Sequence, residues 1–577
     1  MSIPFSRHEN SLPLLEPEFL EISLSRFMSW AAPLLNPREY EETAESAEIS
    51  RDPGGRMLQL HEDLREDLRK NPSLGIHRPF WEGWYLRHST SLPVYINPFY
   101  LFDFQASSGA VLAAHLTVRA LELHGRILRG ILPQDEVKGV PQCMAQYATL
   151  FGCTRIPGVS QDASFCAPES SHIAIFRRGR IYSVKVLDEK GRHPGKAAFE
   201  ALFRDLWNHR EPLARSPGVF TAANRREWGK IREILREHPR NRHHMDLVEK
   251  ALFVVILEDS PGNGEISFCR NLLGGIPDNR WYDKSFQLIV YPEGVGGWNY
   301  DHSRRDGGVM SRVAAFLCGD APEEDSSEIS LEIPEPLEFV CTPELEEKAR
   351  EIRRRDARLR QRIKLEILRF PVFGASNLKK LRFSPDAFVQ LVLLGVQKEL
   401  WGSLRNAFES VSLRHFREGR TEGTRSLTPE GAACIRAYRE GVRKEDLAFL
   451  LRRAGKAHGE RILLCRRGKG IDGNLGFLEN YALLRGLSPE EIPFFTSPGW
   501  RRFNEFWMST SATEGKGILA AGYGPSVPEG FAVRYAKKTG ETELYITSFE
   551  GDLQAFENAF SRVGEVFLEA LNFSEAE

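Results

Sequence analysis

Clustered cysteine is what this sequence most plainly lacks. The eight cysteines, Cys143, Cys153, Cys166, Cys269, Cys318, Cys341, Cys434 and Cys465, are scattered, with no Cys-x-x-Cys pair. Such spacing argues against a zinc site or a disulfide framework and fits a reducing compartment. An excess of charge of one sign is missing too. Lys+Arg number 77 against 79 Asp+Glu, a formal charge of -2, so no global basic field draws the chain to nucleic acid or to anionic lipid. No apolar run approaches the ~18 residues of a membrane-spanning helix. The start, Met1-Ser-Ile-Pro-Phe-Ser-Arg-His-Glu, lacks a basic segment followed by an apolar one, and Ser-Glu-Ala-Glu577 is no peroxisomal tripeptide, so the cytoplasm is the expected location. There is no tandem repeat or low-complexity tract. Gly294-Val-Gly-Gly297 has neither the spacing nor the following Lys-Ser/Thr of a phosphate loop, and no Gly-x-Ser-x-Gly elbow occurs. His243-His244 with Asp246 has no evident third ligand, and helical geometry would point the two rings apart, so no metal site is expected.

What is present is an ordinary globular composition over 577 residues: 41% hydrophobic, 27% charged, 48 Gly and 33 Pro. That length exceeds one hydrophobic core and predicts roughly two to four domains. Residues 14–70 carry apolar side chains at helical spacing (Leu20, Ile22, Leu24, Phe27, Met28), with Pro13 and Pro33 punctuating the stretch. Strand-like runs follow around Pro93–Asn97, at Ile173–Phe176, Ile181–Val186 and Phe286–Tyr291, alternating with helical stretches at 196–209 and 223–237. The mixture reads as α/β. Asp320–Glu328, acidic and Pro-containing, reads as a surface loop, and the Arg/Glu-rich stretch 344–366 as a charged helix bridging two domains. Residues 384–409 read as helix; strands are expected near 458–465, 531–536 and 543–548, and a closing helix over 552–571.

One segment carries chemistry. The apolar run Phe286–Tyr291 leads through the flexible Gly294–Gly297 into His302-Ser-Arg-Arg-Asp306-Gly307. A histidine titrating near neutrality can take a proton from an alcohol as it attacks a carbonyl and return it to a thiolate. An aspartate four residues on can fix the loop, and a glycine after it lets the backbone pass close to substrate. On these residues alone, a histidine capping a turn after a strand is an equal reading.

From His302 outward the sequence resembles the choline/carnitine O-acyltransferase family along nearly its whole length. The resemblance rests on Leu12-Pro13 with Pro17 and Leu20, Trp84-Tyr-Leu-Arg87 with Pro93 and Asn97-Pro98, Pro141–Tyr147, and Phe151–Pro157. It continues through Asn279–Gln287, Ser384-Pro-Asp-Ala-Phe388, Gly419-Arg-Thr421 and Ser509-Thr-Ser511. It implies two chloramphenicol-acetyltransferase-like α/β domains with an active-site tunnel at their interface. Residues 94–340 would form the domain carrying the catalytic His, 341–577 the second, with 1–93 a helical segment packed on the second. His302 would act as base with Asp306 beside it, Ser511 would serve the oxyanion, and Ser509 would line the acceptor site. No cofactor is held. The co-substrate is an acyl thioester of coenzyme A or of phosphopantetheine on an acyl carrier protein, the other partner is a small hydroxyl acceptor, and the protein is expected to be a monomer.

Departures from the family pattern bear on specificity. The carnitine carboxylate is held in the family by a tyrosine, a threonine and an arginine, whose positions here are Phe408, Thr421 and Gly473. A buried carboxylate without its charge partner costs several kcal/mol, so the acceptor is expected not to be carnitine. Thr421 argues against choline as well. Tyr523 stands for the aromatic residue that packs on the cation, and could bind a cation or hydrogen-bond a polar acceptor. A polyol-like compound suits Phe408, Gly473 and Tyr523. On the thioester side Lys379, with Lys380 adjacent and Asp386 following, matches one of two family lysines; the other position is Ala375. A partial nucleotide grip admits a carrier-protein donor, as in the carnitine-acyltransferase-like domains that release products from fungal polyketide synthases. Ala521, followed by Gly522, replaces the methionine that blocks the acyl pocket of short-chain members, which implies medium or long chains.

Overall fold

The computed structural model describes residues 9–71, 77–209, 211–320 and 329–573. It separates into two compact units: residues 1–11, 84–365 and 513–524 in the first, 12–83, 366–512 and 525–577 in the second. The acidic loop expected over Asp320–Glu328 lies outside the described residues from 321 onward.

The first unit takes its strands largely from one stretch of chain. These are β1 (Phe99–Phe102), the short β2 (Glu136–Val137) and β3 (Val140–Pro141), the hairpin β4 (Cys153–Ile156) and β5 (Ala163–Cys166), then β6 (His172–Arg177), β7 (Arg180–Lys185), β8 (Val254–Leu257), β9 (Phe286–Val290) and β10 (Gly296–Tyr300). The second unit holds β11 (Lys364–Phe370), whose first residues fall at the division, with β12 (Asn406–Ser412), β13 (Thr421–Arg425) and β14 (Phe506–Ser511). β15 (Ile518–Gly522) belongs to the first unit, and β16 (Phe531–Lys537) and β17 (Thr542–Ser548) to the second.

The two large sheets run β15-β1-β10-β9-β8-β6-β7 and β11-β17-β16-β14-β12-β13. Within them one five-strand pattern occurs twice. β6 and β7 pair antiparallel, β8 joins β6 in parallel, β9 joins β8 in parallel, and β10 returns antiparallel to β9. β12 and β13, β14, β16 and β17 repeat the same pairings in the same chain order. Parallel central strands are covered on both faces and are buried throughout, as Val254–Leu257, apolar at every position, and Phe286–Val290, apolar but for Gln287, are. The fold is therefore mixed α/β, with a sheet in each half, as the alternation of strand and helix patterns indicated.

Several local expectations meet corrections. Residues 458–465 are helical, inside Lys444–Arg466, because buried Leu447, Leu451, Ala454, His458, Arg461 and Cys465 recur every three or four residues. The helix read over 384–409 ends at Trp401, where Gly402 takes a left-handed conformation, and β12 follows. Pro93–Asn97 is a turn before β1 rather than a strand. The charged helix Pro343–Arg362, capped by Thr342, packs in the first unit instead of bridging domains: Arg353 holds Asp278 through a bidentate pair, and Arg355 pairs with Glu227. Cys153 and Cys166 stand directly opposite on β4 and β5 and form a disulfide, where the scattered spacing had argued against a disulfide framework; the other six cysteines are in no disulfide. Sequence separation of 13 hid a pairing that the hairpin register makes adjacent.

Candidate functional site

In the first unit, β10 ends at Tyr300 and the chain runs through residues 301–306 into the helix Gly307–Leu317. His302 lies in this connection, half-buried, and its imidazole stacks on Tyr85 with centroids 5.1 Å apart and planes inclined by 19°. Tyr300 lies 6.1 Å from the ring on its own strand's end. Asp306 Oδ1 is 4.0 Å from His302 Nδ1, beyond hydrogen-bond length. Asp306 is itself fixed by Gln146, whose Nε2 donates to its carboxylate at 2.8 Å and whose Oε1 accepts from its backbone N–H at 2.8 Å.

Flanking charges hold the loop. Asp301 is buried and accepts from Ser303 and from Arg305 Nη1 at 3.2 Å, with Arg155 Nη1 at 3.7 Å. Burial works against its charge, but the two guanidiniums outweigh it and hold the carboxyl below the usual range. Arg305 also donates from Nε to Thr149 O at 3.0 Å, and Arg155 pairs with Asp162 at 2.5 Å. Arg155 sits on β4, so the disulfide-linked hairpin reaches the loop through Asp301, and a second time where Arg304 Nη1 meets Cys166 Sγ at 3.6 Å. Gly307 opens the helix where a Cβ would stand 3.2 Å from Thr513 Oγ1 and 3.3 Å from the Tyr100 hydroxyl. A ring seated in this way suits a general base.

β15 pairs antiparallel with β1, setting Ala521 opposite Tyr100 and Gly522 opposite Phe99. Ala521 lies in the first unit's hydrophobic core, and a Cβ on Gly522 would come within 2.8 Å of the Phe99 ring. Tyr523, half-buried, follows directly.

The second unit's sheet brings four of the expected residues to one face. Register partners place Phe408 beside Ser509 on β14 and beside Arg425 on β13, and place Ser511 beside Arg534 on β16. Phe408, Thr421, Ser509 and Ser511 share this face by the two-residue alternation of strands, and all four are half-buried. Thr421 presents its backbone oxygen to Trp81 Nε1 at 2.7 Å. Arg425, fully buried, stacks over Phe408, Phe503 and Phe506 and closes on Asp472 at 2.8 and 3.2 Å. Gly423 is obligatory between them, since a Cβ there would lie 2.0 Å from Asp472 Oδ2 and 2.5 Å from the Phe408 ring. Gly473 is buried, and its N–H donates to both oxygens of Glu422 at 3.2 and 3.1 Å. Burial, and after it the Asp472 carboxylate, push Glu422 well above the usual range.

The opposite face is covered by the second core, and Asp386 lies there, near the start of the helix Pro385–Trp401. Lys379 and Lys380 are exposed at the end of the short helix Ala375–Lys380, and Ala375 is buried. The Asp386 carboxylate accepts from Lys537 Nζ at 2.8 Å and from Tyr535 at 3.0 Å. His458 Nε2 stands 3.5 Å from both Asp386 and Glu409. Sequence reading missed Tyr85, Asp301, Glu409, His458, Arg534 and Lys537. Tyr85 sits inside the Trp84–Arg87 motif, Asp301 directly precedes His302 and Glu409 directly follows Phe408; the others become neighbours only through the fold. His243 and His244 lie on the helix Pro239–Lys250, where His244 Nδ1 bonds to Glu338 O at 2.8 Å.

The first unit thus offers a histidine seated after a strand, and the second, by itself, a sheet face set with hydroxyls. Comparison with known proteins defines the class. The profile of the Choline/Carnitine o-acyltransferase family matches residues 17–562, and the chain belongs to that family. It is an acyltransferase of the EC 2.3.1 type, in a family that uses acyl-CoA as co-substrate. Mouse mitochondrial carnitine O-palmitoyltransferase 2 is 26% identical over 599 aligned residues, covering 95% of this chain and 90% of that protein. Mouse choline O-acetyltransferase is 28% identical over 573, covering 94% and 89%. Among solved structures, the EpoB cyclization-docking bidomain of Sorangium cellulosum aligns with a TM-score of 0.39 at 10% identity, covering 93% of each chain. The wax ester synthase/diacylglycerol acyltransferase of Marinobacter aquaeolei VT8 aligns with a TM-score of 0.32 at 11% identity, covering 87% of this chain and 99% of that one.

Proposed function

We propose that this acyltransferase moves a medium or long acyl group from a thioester to the hydroxyl of a small, uncharged, polyol-like acceptor. In this reading His302, stacked on Tyr85 with Asp306 beside it, takes the hydroxyl proton. The alkoxide oxygen bonds to the thioester carbonyl carbon, Ser511 donates to the oxyanion, and the C–S bond breaks as the carbonyl reforms. The departing thiolate recovers the proton from His302. The observation that carries the acceptor assignment is the pairing of Arg425 with Asp472 beside Phe408. A carboxylate arriving there would meet a guanidinium already neutralised, with the Asp472 charge next to it and, at position 473, a backbone N–H already bonded to Glu422. Displacing a buried pair of this kind costs several kcal/mol. Lys379 and Lys380 are exposed and available to a nucleotide phosphate, while the lack of a second lysine at Ala375 admits a donor carried on phosphopantetheine; both donors fall within the proposal. Small side chains at Ala521 and Gly522 favour the longer acyl chains.

The test offers purified protein an octanoyl thioester, on coenzyme A and on a carrier protein, with carnitine, choline and a panel of polyols. Transfer to a polyol faster than to carnitine is expected. Octanoylcarnitine formed fastest would overturn the acceptor assignment, and no turnover with any acceptor would make the chain a binding module. His302→Ala is expected to abolish transfer; retained turnover would remove His302 from the mechanism.

A further inference from the structure

Beneath the hydroxyl-bearing face of the second unit's sheet lies a buried polar relay. Its far end is the group of Asp386, Glu409 and His458, whose ligand atoms all lie within 4.8 Å of one another. Asp386 comes from the helix Pro385–Trp401, Glu409 from β12 and His458 from the helix Lys444–Arg466. Glu409 and His458 are 5% and 3% exposed, so water cannot satisfy them. From Asp386 the connections run inward: Tyr535 donates to Asp386 at 3.0 Å, Gln390 Nε2 donates to the Tyr535 oxygen at 3.1 Å and to Thr510 Oγ1 at 3.0 Å. Thr510 in turn donates to Phe408 O at 2.8 Å, and Ser426 donates to Gln390 Oε1. Thr510 is the residue between Ser509 and Ser511, so the relay ends on the backbone that carries both serines, one strand over from its start at Glu409.

We infer that Glu409 and His458 are positioning residues, acting through Asp386, Tyr535 and Gln390 on Thr510 to hold Ser509 and Ser511 in register for acyl transfer. The inference rests on the proposed role of Ser511. Charge balance supports it. The groups facing the cluster are Lys537 and Tyr535 from β16, with Arg466 farther along the His458 helix; one ammonium faces two carboxylates. Burial, and after it the Asp386 charge, push Glu409 well above the usual carboxylate range, whereas His458 and Lys537 overcome burial at Asp386 and hold it well below. Glu409 is therefore the carboxyl of the pair that holds its proton more tightly, beside an aspartate that gives its proton up more readily. Raising the pH through the raised Glu409 value adds an uncompensated buried charge and loosens the relay.

The experiment compares Ser511→Ala, Gln390→Ala, His458→Ala and Glu409→Gln in the full chain, with kcat, KM for octanoyl-CoA and kcat against pH. Ser511→Ala tests the underlying reading: if it leaves kcat unchanged, the role of Ser511 fails, whatever the other variants do. With that role standing, Gln390→Ala and His458→Ala are expected to lower kcat by about ten-fold at nearly constant KM, the mark of misaligned transition-state donors. Glu409→Gln, which copies the protonated carboxyl, is expected to keep kcat at neutral pH and to flatten the alkaline fall of the wild type. If His458→Ala does not fold, Glu409→Gln and Gln390→Ala decide alone. Wild-type kcat in Gln390→Ala, or an unchanged alkaline limb in Glu409→Gln, would overturn the inference. So would a stoichiometric divalent ion found by elemental analysis of the purified chain, since the three side chains would then be ligands.

Discussion

Replacing Asp301 with asparagine is expected to damage both stability and transfer, though position 301 need never touch substrate. The carboxylate is 2% exposed and stands between Arg305 at 3.2 Å and Arg155 at 3.7 Å, with Ser303 bonded to it. Asparagine preserves the shape but removes the charge that two buried guanidiniums face. Arg155 keeps Asp162, and Arg305 keeps Thr149 O. Breaking one side of a buried ion network costs on the order of 3 kcal/mol. For a unit of this size that corresponds to roughly 5 °C in Tm. The loop seats His302, so kcat should fall as well, by up to ~100-fold if the ring shifts by about an ångström. The pH dependence has a definite sign. Asp301 is held below its ordinary value, so its contribution is fully present above the unfolded carboxylate range and disappears as pH falls through the lower folded value. Thermal melts from neutral pH down through and below the ordinary carboxylate range, with steady-state kinetics at neutral pH, would check this. Asp301→Asn with wild-type Tm and wild-type kcat would refute the idea that this network seats the base.

Three further expectations concern other parts of the molecule. Gly423→Ala places a methyl 2.0 Å from Asp472 Oδ2 and 2.7 Å from Arg425 Nη1, and should lower the second unit's stability by roughly 2–4 kcal/mol by parting that pair, read from denaturant melts. Phe408→Tyr with Gly473→Arg supplies a hydroxyl and a guanidinium where the acceptor is expected, and should raise kcat/KM for carnitine at least ~10-fold; no gain would dissociate these positions from acceptor choice. Reducing the Cys153–Cys166 disulfide opens a short loop, for which chain entropy gives about 3 kcal/mol, so a dithiol should lower the first unit's melting temperature and leave Cys153→Ser indifferent to the reagent.

Elements with strong periodicity were legible in the sequence. Phe286–Tyr291, the helices at 196–209 and 223–237, the closing helix and the strands near 531–548 all stand close to where their patterns put them. His302 was legible because an apolar strand, a glycine-rich turn and a His-x-x-x-Asp-Gly run follow one another directly. Long-range relations were not. Nothing local in Ile518–Gly522 says that it pairs with β1, more than 400 residues earlier, because edge partners are chosen by the fold. Residues 458–465 misled because a run of small, basic and apolar residues fits two periods until the buried set at 454, 458, 461 and 465 is known. The Cys153–Cys166 pairing and the Asp386–Glu409–His458 grouping rest on register and on helix placement, which single-residue chemistry does not encode.

The return of the chain to the first sheet has a practical corollary. Residues 513–524 lie far along the chain, yet β15 covers one edge of β1 while β10 covers the other. A fragment ending near residue 365 would keep β10 but expose the Phe99–Phe102 edge, an apolar strand with its amides unpaired, the kind of edge that recruits other chains. A fragment beginning near 366 would carry β15 with nothing to pair it. Because each unit is sewn from three separate stretches, no single cut yields two intact halves. Dissection of this enzyme would instead call for circular permutation or for co-expression of overlapping pieces, with aggregation of the lone N-terminal piece as the sign that the missing strand matters.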